Sequence, residues 1–103
     1  MSMGYDAKLE EATRRLWTDL MEFSKHHEVE IQFFGISIST WFNGARVLKI
    51  NASILNTEIW NELMSLIFRN GLTVKHWFIE AKKDEIRIFL WLHLDLGKEV
   101  SVE

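Results

Sequence analysis

The spacing of apolar residues predicts a first amphipathic helix over residues 7–27. Apolar side chains recur there at every third or fourth position, which places them on one face of a helix. Asp6 precedes the first turn and is expected to cap it, because its carboxylate can accept a backbone N–H and meets the positive end of the helix dipole. The predicted buried face consists of Leu9, Ala12, Leu16, Leu20 and Phe23, with Trp17 and Met21 at its margin.

A second helix is predicted over residues 57–70 by the same spacing. Asn56 or Thr57 can cap its first turn. The pair Asn70-Gly71 is a typical helix end, since glycine readily adopts the left-handed conformation that follows the last turn. The predicted buried face of this helix consists of Ile59, Trp60, Leu63, Met64 and Ile67.

Between the two helices the apolar period falls to two, which is typical of a hairpin over residues 29–54. The apolar residues before Phe34-Gly35 lie on the opposite phase from those after it, so we expect a β-bulge at this pair. The side chains predicted to face the helices are Phe34, Ile36 and Ile38 in the first strand and Leu48, Ile50, Ala52 and Ile54 in the second.

The length of the turn in this first hairpin decides its register, and Asn43-Gly44 marks the turn. A two-residue loop would set Ile38 opposite Lys49 and separate the apolar residues of the two strands onto different faces. A three-residue loop, Phe42-Asn43-Gly44 with a left-handed glycine, sets Ile38 opposite Leu48 and keeps them together. Because the buried face selects the register, we predict the three-residue loop.

The last hairpin, over residues 72–96, is expected to turn at Lys83-Asp84. This turn directs one set of side chains toward the helices: Trp77, Ile79, Ala81, Ile86, Ile88, Leu90, Leu92 and Leu94, with Lys75 opposite Leu92. The other set forms cross-strand pairs on the far side of the sheet: Glu80 with Arg87, Phe78 with Phe89, His76 with Trp91, and Val74 with His93. Three large aromatic side chains therefore point away from the predicted core.

The order helix–strand–strand occurs twice, and residues 16–36 align with residues 59–79 without gaps. The identities between them, such as Trp17 with Trp60, are explained either by duplication or by a shared amphipathic pattern. Both explanations give the same α+β fold, a two-layer α/β sandwich in the order α-β-β-α-β-β. In this fold two helices cover one face of a four-stranded antiparallel sheet.

Composition limits the class of protein. The chain has 103 residues, which suits a single domain, and its 48% hydrophobic and 26% charged residues are typical of a globular protein. It has no cysteine, which excludes disulfides and zinc–thiolate sites, and its net charge of −3 disfavours non-specific binding to nucleic acid or anionic membranes. Because it also lacks a secretory signal and any run of apolar residues long enough to span a membrane, we expect a soluble, cytoplasmic protein with a short flexible tail at residues 97–103.

The sequence carries no motif for catalysis or cofactor binding. It lacks a G-x-S-x-G nucleophile elbow and a glycine-rich phosphate loop, and its adjacent acidic residues fall at positions expected to be solvated. His76, His93 and Asp95 could together suit a zinc ion, but their spacing matches no metal motif. The pair His26-His27 is explained by the dipole at a helix end. We therefore expect no enzymatic activity, no cofactor and no bound metal.

The aromatic residues on the far side of the last hairpin form the candidate site. Other segments of the monomer could shelter them, or they could form a binding surface, which is the usual meaning of contiguous exposed aromatic residues. We favour a small protein-binding module, such as a regulator, inhibitor or adaptor, whose partner is a second copy of the chain or another protein. The alternative is binding of single-stranded nucleic acid, whose bases would stack on the same rings. The predicted site consists of Phe78, Phe89 and Trp91, surrounded by His76, His93, Arg87 and Glu80.

Overall fold

The computed structural model describes residues 4–39, 44–53 and 56–95. The elements are α1 (Tyr5–His27), β1 (Ile31–Ser39), β2 (Ala45–Ser53), α2 (Thr57–Arg69), β3 (Leu72–Lys82) and β4 (Glu85–Leu94). The strands form one antiparallel sheet in the order β1-β2-β4-β3, and both helices pack on one face of it, which we call the inner face. The predicted α+β fold is confirmed; the predicted tail lies outside the described residues.

The first helix begins two residues earlier than predicted, at Tyr5, with Gly4 in extended conformation before it. Asp6 lies inside the first turn, so the prediction that it caps the helix is wrong, although its charge still meets the positive end of the dipole. At the other end Glu28 adopts the left-handed conformation with φ 55°, and its N–H donates to the Ser24 carbonyl. This cap turns the chain directly into the sheet.

The second helix begins and ends as its capping residues predict. The side-chain oxygen of Asn56 accepts the backbone N–H of Ile59 at 2.9 Å, which satisfies one of the donors exposed at the helix start. The helix ends at Arg69, and Gly71 has the left-handed φ of 77° that favours glycine. This confirms both the Asn56 cap and the Asn70-Gly71 stop.

The predicted bulge in β1 is present and reverses the expected direction of one side chain. Phe33 lies opposite Ile50 and Gly35 lies opposite Lys49, so that Phe34 is the extra residue. As a result Phe33 packs against the core, whereas Phe34 is exposed. The prediction that Phe34 faces the helices is wrong, because the phase of the strand changes after Phe34 and not before it.

The register of the first hairpin differs from the predicted one by two residues. Ile36, not Ile38, lies opposite Leu48, and Ile38 lies opposite Arg46 near the end of the pair, where it is exposed. Because a shift of two residues returns each side chain to the same face, the inward positions of Leu48, Ile50 and Ala52 are unaffected. Gly44 is left-handed as predicted; the other two predicted loop residues and Ile54 lie outside the described residues.

The second hairpin follows the predicted register from its turn as far as the pair His76 with Trp91. Beyond it a second bulge, with Lys75 as the extra residue, sets Val74 opposite Leu92 and Thr73 opposite His93. The predicted pairs of Lys75 with Leu92 and Val74 with His93 are therefore wrong. The bulge keeps Val74 packed against the core, whereas strict alternation would direct the Lys75 ammonium into it, which is costly.

The hairpin of β3 and β4 extends past the helices. Ile88, Leu90 and Leu92 are buried as predicted, but Trp77, Ile79 and Ile86 are 53%, 53% and 51% exposed, so their assignment to the core is wrong. The physical reason is length: the 13 residues of α2 cover about 20 Å. The 11 residues of β3 extend about 36 Å. The part of this hairpin next to its turn, which carries Trp77, Ile79 and Ile86, is called the distal hairpin. Its inner face has no helix above it in the part of the chain that the structure describes.

The two helix–strand–strand units share local geometry at aligned positions. Glu28 and Gly71, which align with each other, both adopt the left-handed conformation after a helix. Each is followed by a buried apolar residue, Val29 in one unit and Leu72 in the other. Among the described helices, neither is both long and apolar enough to cross a membrane.

Candidate functional site

Four rings lie together on the outer face of the sheet, opposite the helices. They belong to His76, Phe78, Phe89 and Trp91, which we call the outer aromatic cluster. Phe78 and Phe89 stack with ring centroids 4.6 Å apart and an angle of 8° between their planes. The ring centroid of Trp91 lies 5.3 Å from that of Phe78 and 5.3 Å from that of His76. The cross-strand pairing predicted from the turn thus brings these four predicted site residues into contact.

The outer aromatic cluster continues onto β2, because β4 lies between β3 and β2 in the sheet. Lys49 lies opposite Trp91, and its ammonium is 5.5 Å from the centroid of that ring and 6.0 Å from the ring of Phe34. These distances allow cation–π attraction. Phe78 remains 41% exposed. Sequence reasoning missed Lys49 and Phe34, because it did not give the strand order and placed Phe34 inward.

Arg87 lies at the base of the outer aromatic cluster, where it connects three strands and the chain before β1. Its guanidinium donates to Asn51 at 2.7 Å, to Glu85 at 2.8 Å and to Glu30 at 3.0 Å. Asn51 in turn donates to Gln32 on β1 at 3.0 Å. Arg87 is 9% exposed and Asn51 is 1% exposed, so the centre of this polar network is buried in the outer face, whereas the carboxylates of Glu30 and Glu85 at its margin are partly exposed.

This network defines the role of Arg87 and Glu80 within the predicted site. Arg87 lies opposite Glu80 as predicted, but it bonds to other acceptors, and the Glu80 carboxylate pairs with Lys82 at 3.4 Å. The hydrogen bond from Arg87 lowers the pKa of Glu85, and the same bond raises the pKa of Arg87. Arg87 therefore positions the strands under the cluster, whereas Glu80 lies exposed on the edge strand.

His93 lies on β4 two residues beyond Trp91 and opposite Thr73. Burial lowers the pKa of this imidazole from its ordinary value of 6.5, and the positive charge of Lys75 lowers it further, against an opposing effect of Asp95. Protonation of His93 is therefore less favourable in the folded chain than in the unfolded chain. The contribution of His93 to stability is present above pH 6.5 and declines as the pH falls toward its lower folded pKa.

The His93→Gln variant is expected to show a weaker dependence of stability on pH than the parent chain. Glutamine carries no charge at any pH, so the variant lacks the proton uptake that accompanies unfolding of the parent. Thermal midpoints of both chains between about pH 5.5 and about pH 7.5 test this. The midpoint temperature of the parent chain should fall further on acidification than that of the variant. Equal decreases in the two chains would show that His93 is not shielded from protonation.

The histidines do not assemble a metal site within the described residues. No group of three or more histidine, aspartate or glutamate side chains there has the arrangement to hold a metal ion. His27, at the end of α1, contacts the carboxylate of Glu62 on α2. His76 contacts Trp91 as part of the outer aromatic cluster.

A second surface, which sequence reasoning missed, lies on the inner face of the distal hairpin. We call it the hairpin groove: a depression of about 440 Å³ between the start of α2 and the exposed ends of β3 and β4. It was missed because these apolar residues alternate as core residues do, and the pattern does not reveal where the covering helix stops. Its apolar lining consists of Trp60, Trp77, Ile79, Ile86 and Ile88.

Comparison with known proteins leaves the site to be interpreted from its own chemistry. The chain matches no protein-family model, no curated protein and no solved structure.

Proposed function

We propose that the protein is a non-enzymatic binding module that associates with a second copy of itself, and that the outer aromatic cluster is part of its binding surface. The observation that carries this proposal is the position of Phe78. It is a large apolar ring, exposed on the side of the sheet away from both helices and stacked on Phe89. Aromatic residues at the centre of a surface patch are typical of protein interfaces.

The exposure of the adjoining residues on the same hairpin supports this proposal. Trp77 and Ile79 flank Phe78 and are also exposed, so one stretch of β3 presents apolar side chains on both faces of the sheet. Contiguous apolar surface of this kind usually marks an interaction site. A homodimer is the commonest assembly that covers such a patch. A cytoplasmic location stays a prediction.

Single-stranded nucleic acid remains the second candidate, since Lys49 beside Trp91 supplies a cation next to an aromatic ring. Two features favour a protein partner. Phe78 and Phe89 stack on each other, so each has only one ring face left for a base. The Arg87 guanidinium already donates to three side chains of its own chain, and it is therefore not available for a phosphate.

Replacement of Phe78 with serine is expected to weaken self-association by more than about tenfold, because the ring at the centre of the surface is lost. Sedimentation equilibrium over chain concentrations from about 1 to 200 µM tests this against the parent chain. Phe68→Ser is the matched control, because Phe68 is also exposed but lies on α2, away from the cluster. Circular dichroism establishes that each variant is folded.

The outcomes separate the candidates. A parent chain that dimerises, a weakened Phe78→Ser chain and an unaffected Phe68→Ser chain support the proposal. A parent chain that is monomeric at every concentration contradicts it. If that monomer binds a fluorescent oligothymidine with an affinity that falls steeply with salt, the nucleic-acid candidate takes its place.

A further inference from the structure

The outward edge of β3 has the properties of a strand that pairs with another strand. The sheet order places β3 at an edge, where it pairs with β4 alone among the described strands. Natural edge strands are usually protected by a bulge, a proline, a charge or a covering segment. The stretch Trp77-Phe78-Ile79 has no such charge or proline, the bulge lies before it at Lys75, and all three of its side chains are exposed.

The turn of the hairpin determines which backbone groups of β3 point to this edge. A two-residue loop makes the flanking pair, Lys82 and Glu85, a hydrogen-bonded pair. Since hydrogen-bonded and non-hydrogen-bonded pairs alternate, the N–H and C=O groups of Phe78 point toward β4. Those of Trp77 and Ile79 therefore point away from it, toward the outer edge.

We propose that a second copy of the chain adds to this edge as an antiparallel β3 strand, in a register centred on Phe78. The result is a continuous eight-stranded sheet with the order β1-β2-β4-β3 followed by the same strands reversed. This inference rests on the proposed self-association and specifies the surface that carries it. It also places the two outer aromatic clusters side by side.

The symmetry of such a dimer limits the registers that are available. An antiparallel pair of identical strands has a two-fold axis perpendicular to the sheet, so both copies have their helices on the same side. In the register centred on Phe78, Trp77 lies opposite Ile79 of the second copy, and each such pair exchanges two backbone hydrogen bonds. Phe78 lies opposite Phe78 of the second copy as a close, non-hydrogen-bonded pair.

Side-chain pairing selects this register over its neighbours. Centred on Phe78, His76 lies opposite Glu80 of the second copy, where an imidazole N–H can donate to the carboxylate, and this complementary pair occurs twice. A register centred on Ile79 would set His76 opposite Lys82 and the Glu80 carboxylate against the ring of Phe78. A register centred on Trp77 would bring the bulge at Lys75 into the pairing, which disrupts the ladder.

The apolar side-chain surface available to this dimer is smaller than the total area of a specific interface, so the paired backbones must contribute the remainder. A fully covered phenylalanine or tryptophan buries roughly 150–250 Å². The half-exposed side chains of Trp77, Phe78, Ile79 and Ile86 in two copies therefore offer roughly 700 Å², before any backbone is counted. Small stable interfaces bury about 1,200 Å² in total, so we expect micromolar affinity. Trp77 and Ile79 line the hairpin groove of each copy. Because these residues lie opposite each other across the two-fold axis, the two grooves adjoin there.

The first test removes one backbone donor at the edge. Ile79→Pro eliminates an N–H that points outward, so it is expected to preserve the hairpin while raising the dimer dissociation constant by more than about tenfold. Ile79→Ala, which keeps the N–H, is the matched control and should have the smaller effect. A parent chain that dimerises together with an Ile79→Pro chain that is folded and dimerises equally well would overturn the edge pairing and leave the proposed self-association intact. A monomeric parent chain would contradict both.

The second test determines the register by exchange of charge. His76→Glu is expected to weaken the dimer, because it sets two carboxylates opposite each other. His76→Glu combined with Glu80→His restores the complementary pair and should recover most of the affinity. In the register centred on Ile79 the single variant would instead strengthen the dimer, since the new carboxylate would face Lys82. That result, or a failure of the double variant to recover affinity in a folded chain, would overturn the register centred on Phe78.

Discussion

Replacement of Leu90 with alanine is expected to lower the free energy of unfolding by about 3–5 kcal/mol. Leu90 is fully buried, with 0% exposure, on the central strand β4 and on the face covered by the helices. The truncation removes buried apolar surface and leaves a cavity that a closely packed interior fills only in part. Because a small domain is stable by only about 5–15 kcal/mol, chemical denaturation should reveal a large displacement of the transition.

The matched control is Ile79→Ala, an aliphatic truncation on the same face of the same hairpin. Ile79 is about half exposed because α2 does not reach it, so we expect a loss near 1 kcal/mol. Both variants should be measured at low chain concentration, where self-association contributes least. Equal losses for the two would mean that the distal hairpin is covered in the monomer, and that the hairpin groove is part of the core.

Side-chain direction along the strands could be predicted from the sequence more reliably than pairing could. The period of two fixes which residues share a face, and an error of two residues in the first hairpin left Leu48, Ile50 and Ala52 buried as expected. Bulges are the exception, because one extra residue reverses every direction after it. The pattern of apolar residues predicted the bulge near Phe34, but nothing in it predicted the bulge at Lys75.

The candidate site was predictable only where it depends on local pairing. The stack of Phe78 on Phe89 follows from the two-residue turn of their own hairpin. The position of Lys49 beside Trp91 depends on β2 and β4 being neighbours, a long-range pairing that periodicity does not determine. The exposure of Trp77 depends on where α2 begins relative to the hairpin, and this is a property of the packed layers rather than of the strand.

Arg87 shows most clearly how a surface prediction can become a structural one. As an arginine on the outer face it was expected to stand beside an interface, yet its guanidinium is enclosed by acceptors from β2, from β4 and from Glu30. A buried cation is tolerated only when its donors are satisfied in this way. Loss of the guanidinium would leave the Asn51 side-chain oxygen buried without its donor, which is more costly than the bond itself is favourable.

The Arg87→Met variant is therefore expected to lose about 2–3 kcal/mol of folding free energy, although methionine retains much of the apolar stem. Arg15→Met is the matched control, because Arg15 forms an exposed helix pair with Glu11, and it should lose less than about 0.5 kcal/mol. Replacement of Asn51 with leucine in the Arg87→Met chain removes the buried oxygen as well and should recover part of the loss. Denaturant titrations of the three variants measure these losses of folding free energy relative to the parent chain. If Arg87→Met is no more costly than Arg15→Met, the outer face is not held together by this network, and Arg87 is available to a partner after all.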